Sequence, residues 1–405
     1  MGEEDSLTAP ILLTVAVVLG MALLGARLAR LARQPAVVGE MIAVIALGPS
    51  LLGWLSPPAE SFLFGSASRP VFAALAQLGV AVFILIVGLE LRIQLGSSRT
   101  VVGVTLGSLF VPLILGALAA LTFLNDQPQT PPWAFVLFIG AALSVTAVPV
   151  LALILQDRGL SHTPEASTAL SAAAASDVMA WSLLAVVAVG APGPSLMQRG
   201  VALIGLGVWI LIIRTTVQQV RRRTSLERLH PVTLIGFTLM AASGSAVASD
   251  LAGFHAIIGP LLLGAALPHK AELHQLLEGT LAQTVRAALL PFFYLTVGLA
   301  LDISAAVSLR ATLTLLLAAV AGKVGGVLLG ARLTGSGWPE AWRLGVLLNT
   351  RGLTELVFLT SGLQLGILPK PLYTSLVVVT LITTLATGPL LDVGRRHLER
   401  AETAN

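Results

Sequence analysis

The seven residues VGLELRI (87–93) recur as VGLALDI (297–303), identical at five positions, and Phe83 and Phe293 precede them at a matching offset. Each copy closes an apolar run long enough to cross a hydrocarbon core of about 30 Å. Reading hydropathy outward from the two copies, with Pro, Gly and charge as punctuation, places thirteen spans. They lie near 10–30, 36–54, 71–91, 99–124, 133–156, 164–190, 199–217, 231–250, 254–268, 281–302, 309–331, 340–364 and 371–393. The echo then pairs span 3 with span 10, an odd offset of seven, so matched helices would cross in opposite directions. The expected fold is an all-α polytopic membrane protein of about 13 transmembrane helices. Two inverted six-helix repeats, spans 1–6 and 8–13, would be joined by span 7.

Composition agrees with this class. Of 405 residues 56% are hydrophobic and only 11% charged, with mean hydropathy +0.90, which excludes an ordinary soluble protein. The net charge of +4 does not call for nucleic acid. With thirteen spans, eighteen of the 24 Lys and Arg residues fall in loops on one side and four on the other, Lys323 and Arg351 being inside spans. That bias expects the N-terminus outside and the C-terminus in the cytoplasm. The acidic start MGEEDSLTAP lacks a basic n-region and a small-residue cleavage site, so the first apolar run reads as a retained helix. No cysteine is present, none of the six histidines has metal-ligand spacing, and no nucleophile–base motif appears, so no enzyme is expected.

Four polar constellations interrupt the apolar spans. Span 5 carries SVTAVPV (144–150), where Pro149 cannot donate to the Val145 carbonyl and its ring clashes there. The freed carbonyls and the hydroxyls of Ser144 and Thr146 are oxygen ligands of the kind a desolvated alkali cation needs. On this stretch alone an ordinary proline kink, satisfied by neighbouring Ser and Thr, is the simpler account. Span 12 carries NTRGLTELV (349–357); Gly352 weakens the helix, and Arg351 and Glu355, four apart, are expected to pair and balance charge. Span 11 places Lys323 within AGKVGG, too far from either end to snorkel, so it needs a carboxylate, a helix C-terminus or the loss of its charge. Span 6 carries SAAAASDVMAWSLL (171–184), in which Asp177 is the only formal charge between Thr168 and Gly190. A salt bridge to Lys323 is the structural reading of Asp177. The functional reading is an acid that holds a proton or a cation in turn.

Together with QPAVVGEMIAVIALGPSLLGW (34–54), FHAIIGPLLLGAALP (254–268) and LPFFYLTVGLALD (290–302), these stretches resemble the monovalent cation:proton antiporters. The branch is that of bacterial sodium/proton antiporters, Kef-type potassium-efflux transporters and plant cation/proton exchangers. The resemblance covers essentially the whole chain. It implies a homodimer in a lipid bilayer, with crossed broken helices in spans 5 and 12. It also divides the chain into scaffold helices 1–3 (residues 1–98), core helices 4–6 (99–195) and a linker helix with basic loop (196–229). Scaffold helices 8–10 (230–307), core helices 11–13 (308–395) and a short cytoplasmic tail (396–405) would follow.

The resemblance carries the ion-binding aspartate onto Asp177, the core lysine onto Lys323 and the polar residues of the helix-5 break onto Ser144 and Thr146. The departure is Ser176: electrogenic members have two adjacent aspartates here, and other branches Asn-Asp or Gln-Asp. Without the first carboxylate the stoichiometry is open, with electroneutral exchange slightly favoured. No Gly-rich phosphate loop follows a strand, so the nucleotide-binding regulatory domain usual in Kef-type proteins is not expected.

The expected function is antiport of Na⁺ or K⁺ against H⁺ by alternating access. Asp177 and Ser176, with Thr146 and Ser144, would form the cation and proton site. Lys323, Arg351 and Glu355 would balance charge, and Pro149 and Gly352 would break the helices. No cofactor is expected beyond the transported ions, and no nucleic-acid partner; the setting is a bacterial plasma membrane. An organic-solute transporter on the same fold, or an uncoupled cation channel or sensor, is the alternative.

Overall fold

A computed structural model describes residues 3–32, 34–90, 98–126, 130–161, 163–190, 196–223, 231–267, 279, 281–301 and 308–403. Its α-helices are α1 (Glu3–Leu31), α2 (Ala36–Ile45), α3 (Pro57–Leu63), α4 (Arg69–Glu90), α5 (Arg99–Leu121) and α6 (Pro132–Ser144). Next come α7 (Val148–Asp157), α8 (Pro164–Gly190), α9 (Leu196–Arg223), α10 (Pro231–Leu251), α11 (Ile258–Ala266) and α12 (Ala282–Ala288). The last are α13 (Leu290–Ala300), α14 (Leu309–Leu333), α15 (Trp338–Leu348), α16 (Leu353–Gln364) and α17 (Lys370–Thr403). No strand occurs among the described residues.

Among these residues, ten helical stretches are long and apolar enough to cross a membrane, and they coincide with ten of the expected spans. The other three expected spans hold shorter helices, for local reasons. In 36–54 the α-helix stops at Ile45, and a π-turn opens at Pro49, whose missing N–H cannot extend the ladder. In 254–268 the helix starts only at Ile258, after Gly253 turns the chain with φ 74°. In 340–364 the helix breaks in the middle, at 349–352. The ends of the echoed stretches (91–93 and 302–303), the basic loop at 224–229, and Lys270 lie outside the described residues.

The chain folds as two compact units. One comprises Met1–Leu23, Ala43–Ile93 and Pro192–Ala300, with α4 packed against α10, α11, α12 and α13. Small residues let backbones touch here: a Cβ on Gly264 would lie 2.9 Å from the Leu89 nitrogen. The rings of Phe72 and Phe292 stack at 5.9 Å in the same unit.

The second unit comprises Leu24–Ile42, Gln94–Ala191 and Leu301–Asn405, and holds every polar residue singled out in spans 5, 6, 11 and 12. Its spine is the pair α5 and α14. Gly103 and Gly107 on α5 meet Gly330 and Gly326 on α14, and Gly322 meets Pro112, a small-residue seam of the kind that joins membrane helices. A Cβ on Gly103 would stand 2.7 Å from the Gly330 oxygen, and one on Gly322 2.6 Å from Pro112 Cα. Both helices begin alike. Ser98 and Ser308 are N-caps whose hydroxyls accept from Val101 N and Ala311 N at 3.2 Å. The two serines are separated by the same interval as Phe83 and Phe293.

Candidate functional site

Span 5 is not kinked but open. Helix α6 ends at Ser144, residues 145–147 are non-helical, and α7 starts at Val148. Pro149 sits in the first turn of α7, where a missing N–H leaves no bond unmade. Span 12 opens over 349–352, with Gly352 (φ 158°, ψ −133°) as the residue before α16. A Cβ on Gly352 would come within 2.7 Å of Val150 Cγ2, so glycine also makes room for α7.

The two openings bond to one another. Ala147 N donates to Thr350 O at 3.2 Å, and the Thr146 hydroxyl donates to Leu348 O, the last residue of α15, at 3.2 Å. Two half-helix C-termini and two N-termini therefore meet in one place, with their partial charges exposed to each other.

Charged side chains answer those partial charges. Lys323, Arg351 and Glu355 are fully buried, and Asp177 is 1% exposed. Two cations cap the C-terminus of α6. Lys323 Nζ donates to the carbonyls of Ser144 and, at 3.0 Å, of Ser108 on α5. Arg351 donates to Leu143 O at 2.8 Å and Ala142 O at 3.4 Å. Arg351 also pairs with Glu355, in the first turn of α16, where a carboxylate faces the positive end of that helix. Of the partners open to Lys323 from its sequence, a helix C-terminus is the one it has. Among the described residues it forms no ion pair with Asp177.

Asp177 lies midway along α8, and neither carboxylate oxygen has a hydrogen-bond partner. The groups that act on it are the Lys323 ammonium and the Thr146 backbone N–H, which is turned toward the carboxylate as a donor but outside ordinary hydrogen-bond geometry, so Asp177 stands at the opening of span 5. A buried polar atom without a partner calls for a proton, a water or an ion. Ser176, also buried, turns its hydroxyl back to Ala172 O at 2.9 Å and makes no bond to Lys323. The Ser144 hydroxyl is likewise spent on Leu109 O (3.0 Å) and Gly140 O (2.9 Å). Each hydroxyl oxygen keeps lone pairs for a cation.

Some participants were missed in the sequence. The Ser108 carbonyl carries no side-chain signal at all. Helix α17 supplies Thr384, whose hydroxyl donates to Arg351 O at 2.8 Å, and Thr380, whose hydroxyl stands beside Glu355. The hydroxyl-rich run TLITTLAT (380–387) was the available clue. Aromatic rings wall one side: Phe138 stacks on Phe358 at 4.9 Å, and Trp181, one turn beyond Asp177, meets Phe358 at 5.9 Å.

The chain as a whole is similar to known antiporters. The transmembrane region of the sodium/hydrogen exchanger family matches residues 15–393. The chain is 36% identical to the Na⁺/H⁺ antiporter NhaS4 of Synechocystis, over 94% of this chain and 96% of that protein. It is 33% identical to cation/H⁺ antiporter 20 of Arabidopsis thaliana over 88% of its own length, but spans only 45% of the plant protein. Its fold is similar to that of the sodium proton antiporter MjNhaP1 of Methanocaldococcus jannaschii, with a TM-score of 0.55 at 14% identity, covering 94% and 95% of the two chains.

Proposed function

The chain belongs to the sodium/hydrogen exchanger family of monovalent cation:proton antiporters, and from that premise we propose that it exchanges Na⁺ or K⁺ for H⁺ through Asp177. The observation that carries the assignment is a buried carboxylate with both oxygens unpartnered, beside the crossing of two broken helices. Asp177 binds a proton or a cation, never both, because either one cancels the charge that burial penalises. The hydroxyls of Thr146, Ser144 and Ser176 supply further oxygens as the cation sheds water.

Alternating access follows from moving this site past a barrier. The scaffold helices (1–98 and 230–307) stay fixed in a homodimer, and the core helices (99–195 and 308–395) carry Asp177 to either face. An unloaded carrier would bear a bare carboxylate. A penalty of about 4 kcal/mol for that charge slows the empty crossing about a thousandfold. That penalty couples the two ions. The positive-inside count orients the protein with its N-terminus outside.

The test is proton release in proteoliposomes on adding Na⁺, K⁺, Li⁺ and Rb⁺ in turn. Release with at least one cation, abolished in Asp177→Asn, is expected. Wild-type vesicles that release no protons with any cation would remove the antiport reading. Exchange surviving in Asp177→Asn would move the site elsewhere.

A further inference from the structure

We propose that the tip of the α1–α2 hairpin, residues 24–42, travels with the moving core, and that α1 and α2 each flex where the chain passes between the two compact units, at Leu23–Leu24 and at Ile42–Ala43. The proposal rests on the alternating-access reading above. It takes these residues out of the fixed scaffold segment (1–98) and names the two joints that the motion must bend.

The packing of the tip carries it. Val38 is 1% exposed and belongs to the apolar cluster that α5, α7, α8, α14 and α15 build; Val37 and Ile42 pack against the same cluster. Gln34, in the turn of the hairpin, donates from Nε2 to Leu385 O on α17 at 3.3 Å. One turn along α17, Gly388 leaves room for this latch. A Cβ there would stand 3.0 Å from Arg158 Nη2, at the end of α7, and 3.2 Å from Gln34 Oε1. The two arms of the tip meet through backbone: a Cβ on Gly39 would fall on the Gly25 carbonyl and 2.6 Å from Ala29 Cβ. Close-packed contacts of this kind hold or switch as a block, because an interior packed to crystal density does not deform continuously.

The rest of α1 and the end of α2 are fastened within the other unit. The Thr14 hydroxyl donates to Leu63 O at 2.8 Å, and a Cβ on Gly298 would lie 2.9 Å from Ile45 Cα. Each of the two helices therefore has one end in each unit. The joints are built to give. Leu23 and Leu24 are 72% and 48% exposed, so little packing stiffens α1 there. Gly20, one turn earlier, has nothing within 4 Å of where a Cβ would be, and a glycine inside a helix weakens it. The second joint falls in the last turn of α2, which ends at Ile45, and element ends are where hinge motion is absorbed.

The chain has no cysteine of its own, so spin labels attach only where a cysteine is introduced. Leu12→Cys, Leu31→Cys and Leu333→Cys mark α1 above the joint, the hairpin tip and the core end of α14; all three positions are exposed. The variants are made in pairs, checked for exchange, and diluted into unlabelled protein so that each distance lies within one protomer. Distances between labels are measured by pulsed electron resonance in liposomes, at low pH without Na⁺ and at high pH with it (K⁺ if Na⁺ is not exchanged). Leu12 and Leu31 are nineteen residues apart, about 28 Å along a straight helix. The expected result is a Leu12–Leu31 distance that changes together with the Leu12–Leu333 distance, while Leu31–Leu333 stays fixed. A constant Leu12–Leu31 distance with a changing Leu31–Leu333 distance would overturn the proposal and leave the moving core intact. A Leu12–Leu333 distance that is the same under both conditions would remove the moving core, and the proposal with it. Leu28→Cys and Leu329→Cys, also exposed, replace Leu31→Cys and Leu333→Cys wherever a labelled pair fails to exchange.

Discussion

Two adjacent glycines on α14 should behave in opposite ways when changed to alanine. Gly326 lies on the seam with α5. A Cβ there would fall on the Gly107 carbonyl and 2.8 Å from Val111 Cβ. Carbon atoms rest at about 3.5–4.0 Å, so the helices must part by ~1 Å at that level. Overpacking of this kind costs about 1–3 kcal/mol. The same displacement acts three residues from Lys323, whose bond to Ser108 O crosses the seam at 3.0 Å. Lengthened toward ~4 Å, that bond no longer exists. A lost hydrogen bond to a charged group adds about 1.5–3 kcal/mol. Gly325 is the control, because its Cβ would have nothing within 4 Å. There alanine gains helix propensity, worth up to about 1 kcal/mol. Thermal unfolding of detergent-purified protein, read by monodisperse fraction against temperature, compares the two. Gly326→Ala should melt clearly below the wild type and exchange cations slowly, and Gly325→Ala at or above it with normal exchange. Equal midpoints for Gly326→Ala and the wild type would refute the backbone-contact seam, and the coupling of that seam to Lys323 with it.

Charge deletions at the crossing should be severe and unequal. Glu355→Gln leaves Arg351 buried without its carboxylate and should lower stability by about 3–5 kcal/mol. Arg351→Gln should lower it further, because it strips the caps from Ala142 O and Leu143 O as well as orphaning Glu355. Chemical unfolding of both variants checks the order. The Arg343–Glu165 pair is the contrast: at 2.6 Å it is close, but Arg343 is 42% exposed, so Glu165→Gln should cost no more than about 1 kcal/mol. Cation-driven proton release in Glu165→Gln should match the wild type.

The chain itself determined its class, its apolar spans and the positions of its breaks. Those features are local: hydropathy over some twenty residues sets a span, and Pro149 and Gly352 act on their own backbone. Asp177 and Lys323 were legible for the same reason, since a charge inside an apolar run is visible without knowing its neighbours. Their relationship was not. Sequence left open a salt bridge between them, and the fold instead ties Lys323 to carbonyls of residues 108 and 144, atoms that every residue carries and no motif marks. The seam of glycines, the Thr384 and Thr380 hydroxyls from α17, and the mutual bonding of the two breaks were equally hidden. Each depends on which helices lie side by side. Tertiary packing decided that, by bringing the backbones of α5 and α14 into contact wherever a missing Cβ allowed it.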